Sequence, residues 1–137
     1  MNKNQIVKLG PDFKKLKLLE KLEIKNNQLK EINEIADLNN LIELIISGNP
    51  ISKLPTNLST LINLQILDIS HCNIIFLPDS ITEIIPLREL DVSHNIIQEL
   101  PDGMGALHNL VRLNLAFNLL EDLPWSIGKM LFGSCVN

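Results

Sequence analysis

Apolar side chains recur along the chain at a long, fixed spacing. Five segments align: "LEKLEIKNNQLKEI" from Leu19, "LIELIISGNPISKLP" from Leu41, "LQILDISHCNIIFLP" from Leu64, "LRELDVSHNIIQELP" from Leu87 and "LVRLNLAFNLLEDLP" from Leu110. Their starts lie 22, 23, 23 and 23 residues apart. Each copy is apolar at its first, fourth, sixth, eleventh and fourteenth positions, as in Leu87, Leu90, Val92, Ile97 and Leu100. After the Leu-Pro step come two more apolar residues: Leu58 and Leu61, Ile81 and Ile84, Met104 and Leu107, Ile127 and Met130. The shorter first copy uses Ile35 and Leu38. A fixed period of this length signals stacked units that share one core.

Alternation across the fourth, fifth and sixth positions predicts a short strand with two inward side chains; Leu90 and Val92 point in and Asp91 points out. The rest of each unit is long enough for a crossover that returns the next strand parallel to the first, in the right-handed sense. The ninth position holds Asn27, Asn49, Cys72, Asn95 and Asn118. It follows the strand, where the chain turns away and backbone N–H and C=O groups lose their strand partners. An inward amide can satisfy both kinds of group.

The repeat reaches both ends. Asn4, Ile6, Leu9, Phe13 and Leu16 fit the ninth, eleventh, fourteenth and later apolar positions of a partial unit over residues 1–18. The next leucine is due at 133, where Gly133 stands, and "LFGSCVN" does not restore the pattern. The organisation expected is one repeat domain over 1–132, with units starting at 19, 41, 64, 87 and 110 and a divergent tail at 133–137. Ends without caps would expose apolar faces and favour self-association.

The pattern LxxLxLxxNxLxxLPxxIxxLxx resembles the leucine-rich repeat family over nearly the whole chain. The Leu-Pro step followed by Ile-x-x-Leu is most similar to the intracellular Ras-group repeats, while Leu19 to Asn40 is closer to the 22-residue type of phosphatase regulators. The resemblance implies an α/β solenoid: a curved right-handed superhelix with a parallel sheet on the concave face and short helical or irregular convex segments. The family uses Asn, and less often Cys, at the ninth position to build a ladder. Asn4, Asn27, Asn49, Cys72, Asn95 and Asn118 map onto it.

Composition narrows the function. The chain has 137 residues, 45% hydrophobic, with 12 basic and 16 acidic side chains and net charge -4. It lacks the positive field that nucleic-acid binding needs. The charge is uneven: residues 1–30 hold eight lysines against Asp12, Glu20 and Glu23, a surplus of five, so the remainder carries -9. Lys14, Lys15 and Lys17 form a run read as a solvated face. No apolar run of signal-peptide or membrane-span length occurs. Two cysteines, Cys72 and Cys135, make no disulfide framework, and a cytoplasmic location is expected. The sequon Asn57-Leu58-Ser59 is read as a chance match.

The stretch "LDISHCNI" sets Asp68, Ser70, His71 and Cys72 together, the residue types of a Cys/His nucleophile or a metal site. A nucleophilic Cys needs access and a lowered pKa, whereas the repeat turns Cys72 into the core; it is read as structural. The neighbouring "LDVSHNII" repeats the same Asp, Ser and His, which marks a consensus. His71 and His94, with Asp68 and Asp91, lie on adjacent strands about 4.8 Å apart, but an open surface offers no closed coordination shell. No catalytic residue, metal or cofactor is expected. Gly103-Met104-Gly105 is read as a turn, and Trp125 as a convex residue covering the solenoid edge.

What varies within the repeat is the outward side of the strands. Glu43, Asp68, His71, Glu89, Asp91, His94, Arg112, Asn114 and Phe117 form the expected protein-binding face, with Ser70 beside them and Phe117 as its exposed aromatic anchor. Its middle is acidic, and Lys21, Lys25 and Arg112 make the ends basic. The function expected is a non-enzymatic interaction module, scaffold or regulator. Small GTPases, their effectors and phosphatases are the partner classes the resemblance implies. The alternative is the sensing array of a larger receptor or enzyme.

Overall fold

The computed structural model describes residues 4–130 and, as backbone, Cys135–Val136. Six short strands form one parallel sheet in sequence order: β1 (Lys21–Glu23), β2 (Glu43–Ile45), β3 (Ile66–Asp68), β4 (Glu89–Asp91), β5 (Arg112–Asn114) and β6 (Cys135–Val136). The pairing keeps the repeat register, Leu22 to Leu44 to Leu67 to Leu90 to Leu113 to Val136. Of the tail expected to diverge at 133–137, only Cys135 and Val136 are described. They pair as a further strand, so the loss of leucine at Gly133 does not end the 23-residue register.

The fourth- and sixth-position side chains fill the space behind the sheet. Leu44, Ile46, Leu67, Ile69, Leu90 and Val92 are all at most 1% exposed. The first-position leucines Leu41, Leu64 and Leu87 join them with the crossover pairs Leu58 and Leu61, Ile81 and Ile84, and Met104 and Leu107. Each fully buried Leu or Ile contributes roughly 1.5–3 kcal/mol of transfer free energy, but only because a neighbouring unit covers it. In the N-terminal partial unit Leu9 is buried and Ile6 and Phe13 pack on the core, whereas Leu16 is 47% exposed.

Within the described residues the crossovers are 3-10 turns: Pro11–Lys15, Asn33–Asp37, Leu58–Thr60, Asp79–Glu83, Asp102–Ala106 and Trp125–Lys129. Pro78, Pro101 and Pro124 precede three of them with ψ of 148°, 137° and 137°, so the Leu-Pro step sets the chain's entry into the turn. Gly105 is required by packing: a Cβ there would collide with the Ser126 carbonyl of the next unit. The expected turn at Gly103-Met104-Gly105 is thus one of these 3-10 segments, with Met104 buried.

A second set of asparagines stands immediately before the units' first leucines. Asn40 Nδ2 donates to the Lys17 carbonyl at 2.7 Å, Asn63 to Asn39 at 2.8 Å and Asn109 to Ile85 at 3.0 Å. Pro86 occupies the equivalent place before Leu87 and has no side-chain donor.

Candidate functional site

Where each strand ends, three successive positions take up different surroundings. The seventh is Lys25, Ser47, Ser70, Ser93 or Ala116, the eighth Asn26, Gly48, His71, His94 or Phe117, and the ninth is the ladder. All five eighth-position residues have left-handed backbone, with φ of 52°, 72°, 52°, 54° and 57° in chain order. This conformation reverses the chain and delivers the ninth side chain to the interior. Hydrogen bonds lock it: the eighth-position N–H donates to the seventh-position carbonyl of the next unit, from Asn26 to Ser47, Gly48 to Ser70, His71 to Ser93 and His94 to Ala116, at 2.9–3.0 Å.

The ladder is in place behind that turn. Asn49 Oδ1 accepts from Leu29 N–H at 3.1 Å, Asn95 Oδ1 from Ile74 N–H at 2.9 Å and Asn118 Oδ1 from Ile97 N–H at 3.1 Å. Their Nδ2 groups donate to the sixth-position carbonyls of their own unit and the one before, as Asn95 does to Val92 and Ile69, both at 2.9 Å. Asn27 accepts from Ile6 N–H at 3.1 Å. Cys72 keeps the position with weaker contacts, Sγ lying 3.5 Å from the Ser70 carbonyl and 3.8 Å from that of Ile46. The Ile51 N–H turns instead to the Asn49 carbonyl at 2.8 Å. Burial pushes the Cys72 thiol pKa up, the opposite of what a nucleophile needs.

Outward, His71 and His94 stack with ring centroids 4.0 Å apart and an interplanar angle of 11°. Phe117 extends the row at 4.2 Å and 16°. Parallel rings direct their nitrogens along parallel lines and not toward one shared point, a geometry unsuited to chelation. Phe117 is 73% exposed, and Ile96 and Leu119, two residues along at the tenth position, are 43% and 56% exposed. The three rings form one continuous exposed row.

The fifth-position carboxylates have a local task that sequence reading overlooked. Asp68 Oδ1 accepts the N–H and hydroxyl of Ser70 at 3.0 and 2.7 Å, and its Oδ2 accepts the Ser47 hydroxyl at 3.1 Å. Asp91 accepts the N–H and hydroxyl of Ser93 at 2.9 and 2.6 Å and Asn114 Nδ2 at 3.0 Å. Asn114 makes the same turn in its unit, accepting Ala116 N–H at 3.2 Å. Ser70, expected on the outward face, is 8% exposed and occupied in this turn. The signal was present as the recurring Asp-x-Ser, since a short side-chain acceptor bonding the N–H two residues on is a strand-to-turn device.

Third-position charges pair across strands. Lys21 and Glu43 lie 2.5 Å apart, and Arg112 and Glu89 2.9 Å. Ile45 and Ile66, half-buried, sit between them on the same face. Trp125 is on the convex turn as expected but is 73% exposed, with the Lys129 ammonium 4.4 Å above its ring; it does not cover the edge.

A solenoid with one parallel sheet, 3-10 crossovers and an inward asparagine ladder defines the class. Residues 1–119 match the family described as "Leucine-rich repeat region", and the chain belongs to the leucine-rich repeat family. It is similar to a leucine-rich repeat protein of Leptospira interrogans at 32% identity and a TM-score of 0.89, covering 98% of this chain and 35% of that one. An internalin of Listeria monocytogenes shares the fold at 22% identity and a TM-score of 0.72, over 98% of this chain and 46% of that one. The ectodomain of the plant membrane receptor kinase GASSHO1/SCHENGEN3 from Arabidopsis thaliana, solved in complex with Casparian strip integrity factor 2, matches at 26% identity and a TM-score of 0.85. That match covers 94% of this chain and 16% of the receptor chain. No curated protein sequence matches significantly. The chain thus spans about a third of the Leptospira protein's length. Among the described residues no helix is long and apolar enough to cross a membrane.

Proposed function

We propose that this chain is a non-enzymatic protein-interaction module, a scaffold or signalling regulator, whose outward sheet face and ring rim bind a partner protein. The fold is generally that of a protein-interaction module. The observation that carries the reading is the eighth-position column. Left-handed backbone costs a side chain up to about 1–2 kcal/mol, which Gly escapes and Asn largely escapes, with His between them and Phe bearing most of it. Units one and two use Asn26 and Gly48 there; units three to five hold His71, His94 and Phe117, exposed and stacked. Backbone strain retained where a relaxed residue would serve the turn supports a functional role.

Glu43, Asp68, Glu89, Asp91, Arg112 and Asn114 complete the proposed face beside that column. The Ras-group likeness of units two to five supports a cytoplasmic setting and a small GTPase, its effector or a phosphatase as partner. The second reading, a sensing array within a larger receptor or enzyme, is favoured by the likeness to a receptor-kinase ectodomain. Affinity capture tests the face directly, with parent chain compared to His71→Asn/His94→Asn/Phe117→Asn. Asn26 shows that asparagine satisfies this turn. Loss of the captured partners is expected; recovery of the same partners at the same yield contradicts the assignment.

A further inference from the structure

We infer that the occupant of this face is a basic, extended segment of another protein carrying an aromatic or aliphatic anchor, an inference that rests on the binding face proposed above. The surface itself is the unpartnered sheet and its rim. Phe117, Leu119 and Ile96 are 73%, 56% and 43% exposed and belong to the last two units that carry rings, where His94 and His71 continue the row from Phe117. At the N-terminal side the tenth position holds no large aliphatic side chain, with Gln28, Pro50 and Asn73 in units one to three. The most exposed apolar side chains at these positions, Phe117 and Leu119, are at the C-terminal side, and the anchor sits there.

Charge specifies the rest of the occupant. The third and fifth positions of β2 to β4 carry Glu43, Asp68, Glu89 and Asp91 and no Lys or Arg. Glu43 and Glu89 are offset by Lys21 and Arg112. Asp68 and Asp91 are held by serine and asparagine donors alone, which fix their orientation and leave their charge, and among the described residues neither is in an ion pair. They face each other in register on adjacent strands, about 4.8 Å apart, and like charges so placed disfavour one another. A guanidinium or ammonium group laid across them relieves that repulsion. From β3 to β5 there are two strand spacings, about 10 Å, which about three extended residues cover at about 3.3 Å each, so one segment can reach from Asp68 and Asp91 to Phe117.

The test is selection of a random phage-displayed peptide library on the immobilised full chain, with binding of the enriched peptides measured on Asp68→Asn/Asp91→Asn and on Phe117→Asn. Asn114 and Asn26 already make these two turns with asparagine, so both variants keep the fold. Enriched peptides are expected to combine Arg or Lys with an aromatic or branched apolar residue. They should bind about tenfold more weakly to each variant and weaken with added salt. Neutral or acidic peptides that bind the parent and lose affinity on Phe117→Asn would overturn the basic chemistry and leave the face standing. Peptides that bind all three proteins equally would overturn the face as well, and absence of enrichment would overturn the claim that it takes an extended segment.

Discussion

His94 and Asn95 are consecutive in the chain and opposite in every physical respect. Asn95 is 6% exposed and makes short hydrogen bonds to Ile74, Ile69 and Val92, each at 2.9 Å. His94 stands outside in left-handed backbone, touching the rings of its neighbours. The same split separates Cys72 from His71. One column is determined by the backbone it must satisfy, so its chemistry hardly varies. The other is free of that demand, so it varies from Asn and Gly to His and Phe. Adjacent positions in a repeat are thus no evidence of shared chemistry, and the His/Cys pair dissolves as an active site.

The sharpest way to break this comparison is to delete an amide from the inner column. Asn95→Ala takes the acceptor from the Ile74 N–H and the amide donor from the Ile69 carbonyl, while the Val92 carbonyl keeps Asn118 Nδ2, and should destabilise the chain by about 2–3 kcal/mol, measured by urea unfolding. A loss below that of Cys72→Ala would contradict the ranking, because the thiol contributes only long contacts at 3.5 and 3.8 Å. Cys72→Asn runs the argument in reverse. Its amide can accept from Ile51 N–H and donate to the Ile46 carbonyl, raising stability by about 1 kcal/mol. Destabilisation instead would mean that the local Ile51 to Asn49 bond fixes this turn against the ladder.

The smallest effect is set by pH. Burial raises the Cys72 pKa in the folded chain, so the thiol stays protonated there while the unfolded thiol ionises at about 8.5. The unfolded state then binds fewer protons, and this contribution to stability is complete below that pH and declines above it toward the folded pKa. The decline in unfolding free energy between neutral and alkaline pH should be smaller in Cys72→Ala than in the parent. Equal declines would place the thiol in solvent.

The period, the strand register and the ladder were legible because each depends on burial, and burial imposes a fixed residue type at fixed spacing. Leu22, Leu44, Leu67, Leu90 and Leu113 align in space as they do in sequence. The left-handed turn was signalled by Asn26 and Gly48, but His71, His94 and Phe117 masked it, since His adopts that conformation less readily than Gly and Phe rarely does. Asp68 and Asp91 were read as outward residues without their tie to Ser70 and Ser93. The sheet's continuation into Cys135–Val136 was hidden because two residues are too few to show alternation. The second asparagine set was visible before Leu41, Leu64 and Leu110, but these exposed side chains carry no apolar period to draw the eye.

The central claim is that the eighth-position rings are surplus to folding. Urea unfolding of His71→Asn/His94→Asn/Phe117→Asn tests it most directly. Asparagine relaxes the left-handed backbone at all three sites while the ring stacking is lost, so the unfolding free energy should match or exceed that of the parent. A loss of more than about 2 kcal/mol would show that the rings hold the solenoid together, and the reading of them as a surface kept for a partner would fail.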